Sequence, residues 1–175
     1  MNEVIKAMKE RRSIRSFKPD MPSKEDLQQI TEAGIYASNA MGKQQTIVLA
    51  VTNKELRDKL SEANRQIAGA PEGFDPFYGA PAILIVLANK EVPTHIYDGS
   101  LVLGNMLLAA HSLGLGSIWI HRAKEESERP EFQELLKAHG IEGEWEGIGH
   151  CAVGYVEGDY PEAAARKADR VIWVE

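Results

Sequence analysis

The sequence lacks most features that mark secreted or membrane proteins. It contains a single cysteine, Cys151, which excludes an intramolecular disulfide. No apolar run is long enough to cross a bilayer, and residues 1–18 lack the apolar core of a secretory signal. We therefore expect a cytoplasmic protein that makes no membrane contact. The length of 175 residues predicts one domain, residues 1–175, with a buried core.

Common catalytic and nucleotide-binding motifs are also missing. There is no P-loop, and the "GLGS" at 114–117 is not a dinucleotide fingerprint because Trp119 stands at the third glycine position. No HExxH sequence or cysteine pair predicts a metal site. His150 and Cys151 adjoin in a predicted strand, where neighbours point to opposite faces, so they do not form a nucleophile–base pair. No carboxylate pair stands out for acid–base catalysis. A chain of this kind favours chemistry supplied by a cofactor.

Positive charge is concentrated at the N-terminus. The chain carries a net charge of −6, but residues 1–18 hold six basic and two acidic residues, a net of +4 that leaves −10 for the remainder. Domains that bind nucleic acid are usually basic as a whole, so we expect no nucleic-acid partner. A compact anion fits this distribution better than a charged polymer.

The N-terminal arginines form a candidate phosphate site. The sequence predicts a first helix capped by Asn2 that ends near residue 11 or 12, followed by an extended stretch. Alternate residues of an extended chain share a side, so Arg11, Ser13 and Arg15 can face the same way. Two forked guanidinium groups and a hydroxyl suit a phosphate. The residues alone leave open a second interpretation, a solvated patch of surface arginines.

The hydrophobic pattern predicts an α+β domain. Further helices are expected after the caps Ser23 and Asn53, from Pro130, and over residues 98–113. The helix at 98–113 is apolar on most sides, which predicts a position at the centre of the fold. Residues 38–45 and 69–81 are expected to be loops, the second either functional or a passive connection. The five predicted strands are 46–52, 82–88, 116–120, 147–156 and 170–174.

Six segments of the chain, taken in order, resemble the nitroreductase family of flavin enzymes. Each segment is weakly specific by itself, but the six follow the family's order along essentially the whole chain. The resemblance implies a three-layer sandwich, in which helices flank a mixed sheet of about five strands around a long buried core helix. The segments are "RRSIRSF" (11–17), "ASNAMGKQQ" (37–45), "DPFYGAPAILIVLA" (75–88), "DGSLVLGNMLLAAHSLGLGSIWIHRAKE" (98–125), "GIGHCAVGY" (147–155) and "ARKADRVIWV" (165–174).

The resemblance also implies a cofactor and a partner. Family members are homodimers with tightly bound FMN at the interface, and each FMN contacts both subunits. The C-terminal strand can join the partner's sheet. The resemblance assigns the phosphate and ribityl end of FMN to Arg11, Arg12, Ser13 and Arg15, and adds Arg166 and Lys167 at the same phosphate. It implies that a loop from the partner subunit also contacts the FMN, through Ser38, Asn39, Ala40 and Gln44. It places a turn against the flavin ring, with a backbone N–H near flavin N5, formed by Ile120, His121 and Arg122.

The implied activity is that of an FMN-dependent NAD(P)H oxidoreductase. NADH or NADPH would reduce the flavin at N5, and an electron-poor small molecule, such as a nitroaromatic or a quinone, would oxidise it in a ping-pong scheme. No catalytic side chain is needed. Two alternatives stay open: a flavin-binding protein without efficient turnover, and a specialised branch such as a reductive dehalogenase or a flavin-fragmenting enzyme.

The sequence departs from the family pattern at two places. In the loop, Gln45 and Thr46 stand in place of the family's Pro-Trp, and Gly42 in place of its usual Asn. In the turn, His121 and Arg122 occupy positions where many relatives have acidic or small residues. If these two side chains point away from the ring, only the backbone of the turn matters for the flavin.

Overall fold

The secondary structure follows the predicted helix caps closely. The computed structural model describes all 175 residues. The side chains of Asn2, Ser23 and Asn53 each accept a backbone N–H at the start of a helix. A short 3₁₀ turn covers Ala40–Gly42. The elements in chain order are α1 (Glu3–Glu10), α2 (Lys24–Ile35), β1 (Thr46–Val51), α3 (Lys54–Ala68), β2 (Ala82–Asn89), α4 (His95–Ser112), β3 (Gly116–Ile120), α5 (Ala123–Ser127), α6 (Pro130–Ala138) and β4 (Trp145–Gly154).

The four strands form one antiparallel sheet in the order β1-β2-β4-β3. The expectation of about five strands in a mixed sheet is therefore wrong for the single chain. Residues 170–174 do not form a strand here, and residues 171–174 are 70–93% exposed. The reason is physical: a strand needs a neighbouring edge to complete its hydrogen bonds, and this segment contacts no edge of its own sheet.

The sheet lies between two layers of helices, which confirms the three-layer sandwich. All residues of β2 from Ala82 to Ala88 are fully buried, and alternate side chains enter opposite cores. One core joins the sheet to α2 and α4 and includes Leu84, Met106 and Cys151. The other lies against α3 and α6 and includes Ile85 and Phe132. No helix of the fold is both long and apolar enough to cross a bilayer.

Helix α4 is the long core helix, but only one side of it is buried. It begins at His95, three residues earlier than predicted. Its packing against α2 is close, because a Cβ at Gly34 would lie 2.6 Å from the Met106 Cγ. The opposite side carries Ile96, Tyr97 and Leu101, each about half exposed or more. Helix α4 is thus the predicted core helix, and the single chain leaves one of its apolar sides exposed.

Two other helices differ from the simple hydrophobic pattern. Helix α1 lies beside α4, but none of its residues is buried, and its apolar stripe of Val4, Ile5 and Met8 stays more than half exposed. On α3 the sequence predicts that Leu56, Leu60 and Ile67 face the core. The residues buried there are Arg57, Leu60, Ser61 and Asn64. Polar groups occupy the inner face because they hold loops and carbonyl groups next to the helix, as described below.

Candidate functional site

The N-terminal arginine segment is fixed beside the sheet. The chain leaves α1 at Arg11 and becomes extended, as predicted. Ile14 and Phe17 are buried, and the Ile14 N–H donates to the carbonyl of Ser117 on β3 at 3.1 Å. A bridge between Ser13 and Ser117 continues this contact. The apolar side chains therefore anchor the segment, while Arg15 extends into solvent.

None of the three arginines in this segment forms an ion pair with a carboxylate. The Arg11 Nη1 is buried and has no hydrogen-bond partner. Arg12 turns back onto α1, where its Nη1 donates to the carbonyls of Lys9 at 2.8 Å and Arg11 at 2.6 Å, but its Nε is buried without a partner. A buried cationic donor without a partner is costly. This arrangement suits an anion that supplies the missing acceptors.

The buried thiol of Cys151 is not a nucleophile. Burial raises the pKa of Cys151 to about 12, although the positive charge of Arg11 acts in the opposite direction. Cys151 lies in the α2–α4 core, whereas His150 faces the other core, with its ring centre 5.2 Å from that of Phe77. The two neighbours thus point to opposite faces of β4, which confirms that they form no catalytic pair.

Tyr160 joins the C-terminal segment to the arginines. Its hydroxyl oxygen accepts the backbone N–H of Arg12 at 3.0 Å and lies 3.0 Å from the Nδ1 of His111. Arg166 and Lys167 follow in an exposed stretch without regular structure. No hydrogen bond or ion pair joins these two residues to the arginine segment, so their assignment to the phosphate stays a prediction.

Hydrogen bonds hold the loop after α2 to helix α4 and also join residues within the loop. The Ala40 N–H donates to the buried carboxylate of Asp98 at 3.2 Å. The Asn39 Oδ1 accepts the Gln44 N–H at 2.9 Å, and Ser38 is exposed. No hydrogen bond connects this loop to the arginine segment of the same chain. Its contribution to a site on a partner subunit therefore stays a prediction.

The turn Ile120–Arg122, called the β3 turn below, has two free backbone donors. Neither the His121 N–H nor the Arg122 N–H donates a hydrogen bond within the chain. Arg122 has a φ of +73°, an uncommon conformation for a residue with a side chain. Its Nε donates to the Asn64 Oδ1 at 3.1 Å, so the side chain is turned toward α3, whereas His121 is exposed. The turn thus offers backbone N–H groups to a ligand.

Two buried groups behind the β3 turn bind its carbonyl oxygens. The Asn64 Nδ2 donates to the His121 carbonyl at 3.0 Å, and the His150 Nδ1 lies 3.2 Å from the Ile120 carbonyl. His150 also makes a short hydrogen bond to Glu126, and both side chains are almost completely buried. The sequence analysis missed Asn64 and the pair of His150 and Glu126, called the buried pair below.

The loop at 69–81 is tied to α3 through Asp75. Arg57 binds the Asp75 carboxylate and donates from its Nε to the Ala80 carbonyl at 3.0 Å. Burial raises the pKa of Asp75. Hydrogen bonds from Arg57, Ser61 and the N–H groups of Phe77 and Gly79 outweigh that effect and leave the pKa below its ordinary value. The stretch from Asp75 to Ala80 is therefore fastened to α3, and a functional role for this loop stays a prediction.

A wide groove lies elsewhere, between α3 and α6. None of the predicted flavin-binding residues lines this groove. Three of its carboxylates, Glu55, Glu62 and Glu131, are already paired with Lys59, Arg65 and Arg129. The predicted site residues form no enclosed cavity of comparable size within one chain.

Comparisons with known proteins point to one family. The model of the family described as "Nitroreductase family" matches residues 8–155. An FMN reductase (NAD(P)H) of Bacillus subtilis is 31% identical over 159 residues, which is 78% of this chain but only 60% of the relative. A nitroreductase of Bacteroides fragilis, solved with bound FMN, has a TM-score of 0.89 and 29% identity with full coverage of both chains. A second FMN-bound nitroreductase, from Desulfitobacterium hafniense, has a TM-score of 0.87 and 29% identity, again with full coverage.

Proposed function

The chain belongs to the nitroreductase family, and from that premise we propose that it is an FMN-dependent NAD(P)H oxidoreductase that reduces an electron-poor small molecule. The observation that carries the proposal is the half-buried Arg11, whose buried Nη1 has no hydrogen-bond partner. It lies in the segment "RRSIRSF", where the family binds the FMN phosphate. The names of the similar proteins, an FMN reductase and FMN-bound nitroreductases, support the same cofactor.

The residues present fit FMN at the phosphate end. A phosphate monoester carries close to two negative charges at neutral pH. Arg11 and Arg15 have no carboxylate partner that would compete for those charges. Ser13 adds a hydroxyl between them in sequence. We propose that these residues and Arg12 hold the phosphate and ribityl end, with Arg166 and Lys167 joining from the segment that Tyr160 anchors.

At the ring end, the β3 turn supplies the chemistry of the site through its backbone. FMN held here would supply the hydride-transfer chemistry between NADH or NADPH and the acceptor. The free N–H groups of His121 and Arg122 would donate to the ring edge and stabilise the negative charge of the reduced flavin. No side chain is required as acid or base, since solvent reaches the exposed turn and can supply protons.

A homodimer would complete the site. Apolar side chains on the outer faces of α1 and α4 are about half exposed in the single chain, among them Met8, Ile96 and Leu101. The C-terminal residues 171–174 are apolar and exposed, and β1 is an edge strand with one side unpaired. We propose that the C-terminal segment crosses to a second copy of this chain. The loop Ser38–Gln44 would then contact the partner's FMN.

The proposal is tested by the cofactor and then by the kinetics. Purified protein, or protein mixed with FMN and passed through a desalting column, is expected to show a flavin absorption spectrum. Replacing the half-buried cation in Arg11→Met is expected to abolish retention of FMN. Steady-state rates with NADH and a quinone are expected to give parallel double-reciprocal lines, because a ping-pong scheme uses one pocket for both substrates. Failure to retain FMN in the wild type would refute the proposal, and intersecting lines would refute the shared pocket.

A further inference from the structure

We infer that Asn64 and the buried pair are positioning residues for the β3 turn. They bind the turn by its carbonyl oxygens, which leaves its N–H groups directed away from the protein. The inference rests on the proposed function, since it takes the flavin to lie against this turn. It assigns a role to three residues that make no contact with the flavin in the proposed arrangement.

Asn64 is completely buried, and both ends of its carboxamide are used. The His121 carbonyl can only accept a hydrogen bond and the Arg122 Nε can only donate one. The carboxamide therefore has one possible orientation, with Nδ2 on His121 and Oδ1 on Arg122. One side chain of α3 thus fixes two consecutive residues of the turn.

The buried pair fixes Ile120, the residue before His121 and Arg122. Because the Ile120 carbonyl only accepts, His150 carries a hydrogen on Nδ1. The His150 Nε2 and the Glu126 carboxyl group then share one further proton, and the pair is neutral overall wherever that proton lies. Neutrality explains how both groups can be buried without another counter-ion. Glu126 belongs to α5, which directly follows the turn, so the pair connects both ends of the turn to β4.

The turn needs such support because Arg122 is strained. A non-glycine residue at positive φ, such as Arg122, is strained, and this conformation persists when the surroundings fix it. If the carbonyls of Ile120 and His121 were released, Arg122 could relax and the two N–H groups would rotate. Donors that are already oriented stabilise a developing charge far better than donors that must first reorient.

The first test compares two alanine substitutions on the same helix. In Asn64→Ala we expect FMN to remain bound through its phosphate. The rate of anaerobic flavin reduction by NADH should fall by roughly tenfold or more, because misplaced groups in a site cost that much. The midpoint potential of the flavin should become more negative. The control, Asn53→Ala, removes the cap of α3 and lowers stability, but it should change neither the rate nor the potential.

The second test separates geometry from charge in the buried pair. In Glu126→Gln the new amide can donate to the His150 Nε2, so the Nδ1 hydrogen stays on the Ile120 carbonyl. We expect this variant to keep the wild-type potential. Glu126→Ala removes the partner of His150 and should shift the potential in the same direction as Asn64→Ala. A loss in Glu126→Gln equal to that in Glu126→Ala would contradict the proposed geometry.

Nuclear magnetic resonance of the flavin-free protein tests the positioning role independently of FMN. The amide signals of His121 and Arg122 should shift in Asn64→Ala and stay in place in Asn53→Ala. If the wild type failed to bind FMN, the proposed function would fall while these shifts could still show that Asn64 holds the turn. The inference is overturned if the two amides do not move in Asn64→Ala. It is equally overturned if folded, flavin-loaded Asn64→Ala keeps both the wild-type potential and a reduction rate within about twofold, because a mispositioned turn should cost far more.

Discussion

Asn64 and Arg122 are joined by a hydrogen bond of 3.1 Å between Oδ1 and Nε, across 58 residues of sequence. This bond turns the Arg122 side chain toward α3, so Arg122 offers its backbone rather than its guanidinium group to the proposed ring site. His121 is then the exposed side chain of the β3 turn. Any preference for charged acceptors that arises at this turn should therefore depend on His121.

Arg15→Ala should weaken FMN binding by about 1.5–3 kcal/mol, the value of a hydrogen bond to a charged group. Arg15 is exposed and has no partner within the chain, so its removal should leave the fold intact. Titration of FMN against the flavin-free protein, followed by quenching of flavin fluorescence, measures the change. Lys18→Ala removes a nearby exposed positive charge and should have a much smaller effect. Equal losses in both variants would indicate general electrostatic attraction and not a phosphate contact.

Asp75→Asn should lower the free energy of unfolding by about 2–3 kcal/mol, because it weakens charged hydrogen bonds and leaves the buried Arg57 with only the half-exposed Asp58 as a counter-ion. Urea denaturation followed by circular dichroism measures the loss. Asp20→Asn is the matched control, since Asp20 is exposed and unpaired. A loss below about 0.5 kcal/mol, the range of ordinary surface substitutions, would mean that the Arg57–Asp75 contact does not fasten the loop.

The same carboxylate should make stability depend on pH in the acidic range. The pKa of Asp75 in the folded chain lies below its ordinary value of 3.8. The group therefore stabilises the fold above the ordinary value, and this contribution is lost as the pH falls from there through the lower native pKa. Denaturation curves of wild type and Asp75→Asn should differ most near neutral pH and converge below the native pKa. A constant difference across that range would contradict the assignment.

Deletion of residues 171–175 should weaken self-association. The segment exposes Val171, Ile172, Trp173 and Val174 in the single chain, and burial of a large apolar side chain contributes about 1.5–3 kcal/mol. Light scattering after size-exclusion chromatography is expected to show a dimer for the full chain and a lower association for the shortened one. The deletion leaves Tyr160 and its contact with Arg12 in place. A full-length chain that stays monomeric at high concentration would contradict the proposed dimer.

Much of the fold could be predicted from local patterns. Helix caps such as Ser23 act on the next few residues, and β2 is apolar at nearly every position because both of its faces are covered. The predicted fifth strand, residues 170–174, is absent because the segment pairs with no strand of its own chain. Helix α5 was missed because five residues carry too little periodicity to be detected.

In the candidate site, too, residues that lie close together in sequence could be predicted, and residues that meet only through packing could not. The arginines of residues 11–15 are close in sequence, so their cluster was visible, and the family resemblance suggested a ligand. The inner polar face of α3 left a weak signal, since Arg57, Ser61 and Asn64 share a face with Leu60. The buried pair left no signal in the sequence, because Glu126 and His150 are 24 residues apart and meet only through the packing of α5 on β4.

The most direct test of the account is the anaerobic reduction of the purified holoprotein. Absorbance near the flavin maximum is recorded after addition of NADH and then, in a separate sample, NADPH, and a quinone is added after reduction is complete. The account predicts rapid bleaching with at least one of the two, followed by recovery of the oxidised spectrum when the quinone is added. A flavin that stays oxidised with both nucleotides would contradict the proposed oxidoreductase and would leave a flavin-binding protein without turnover.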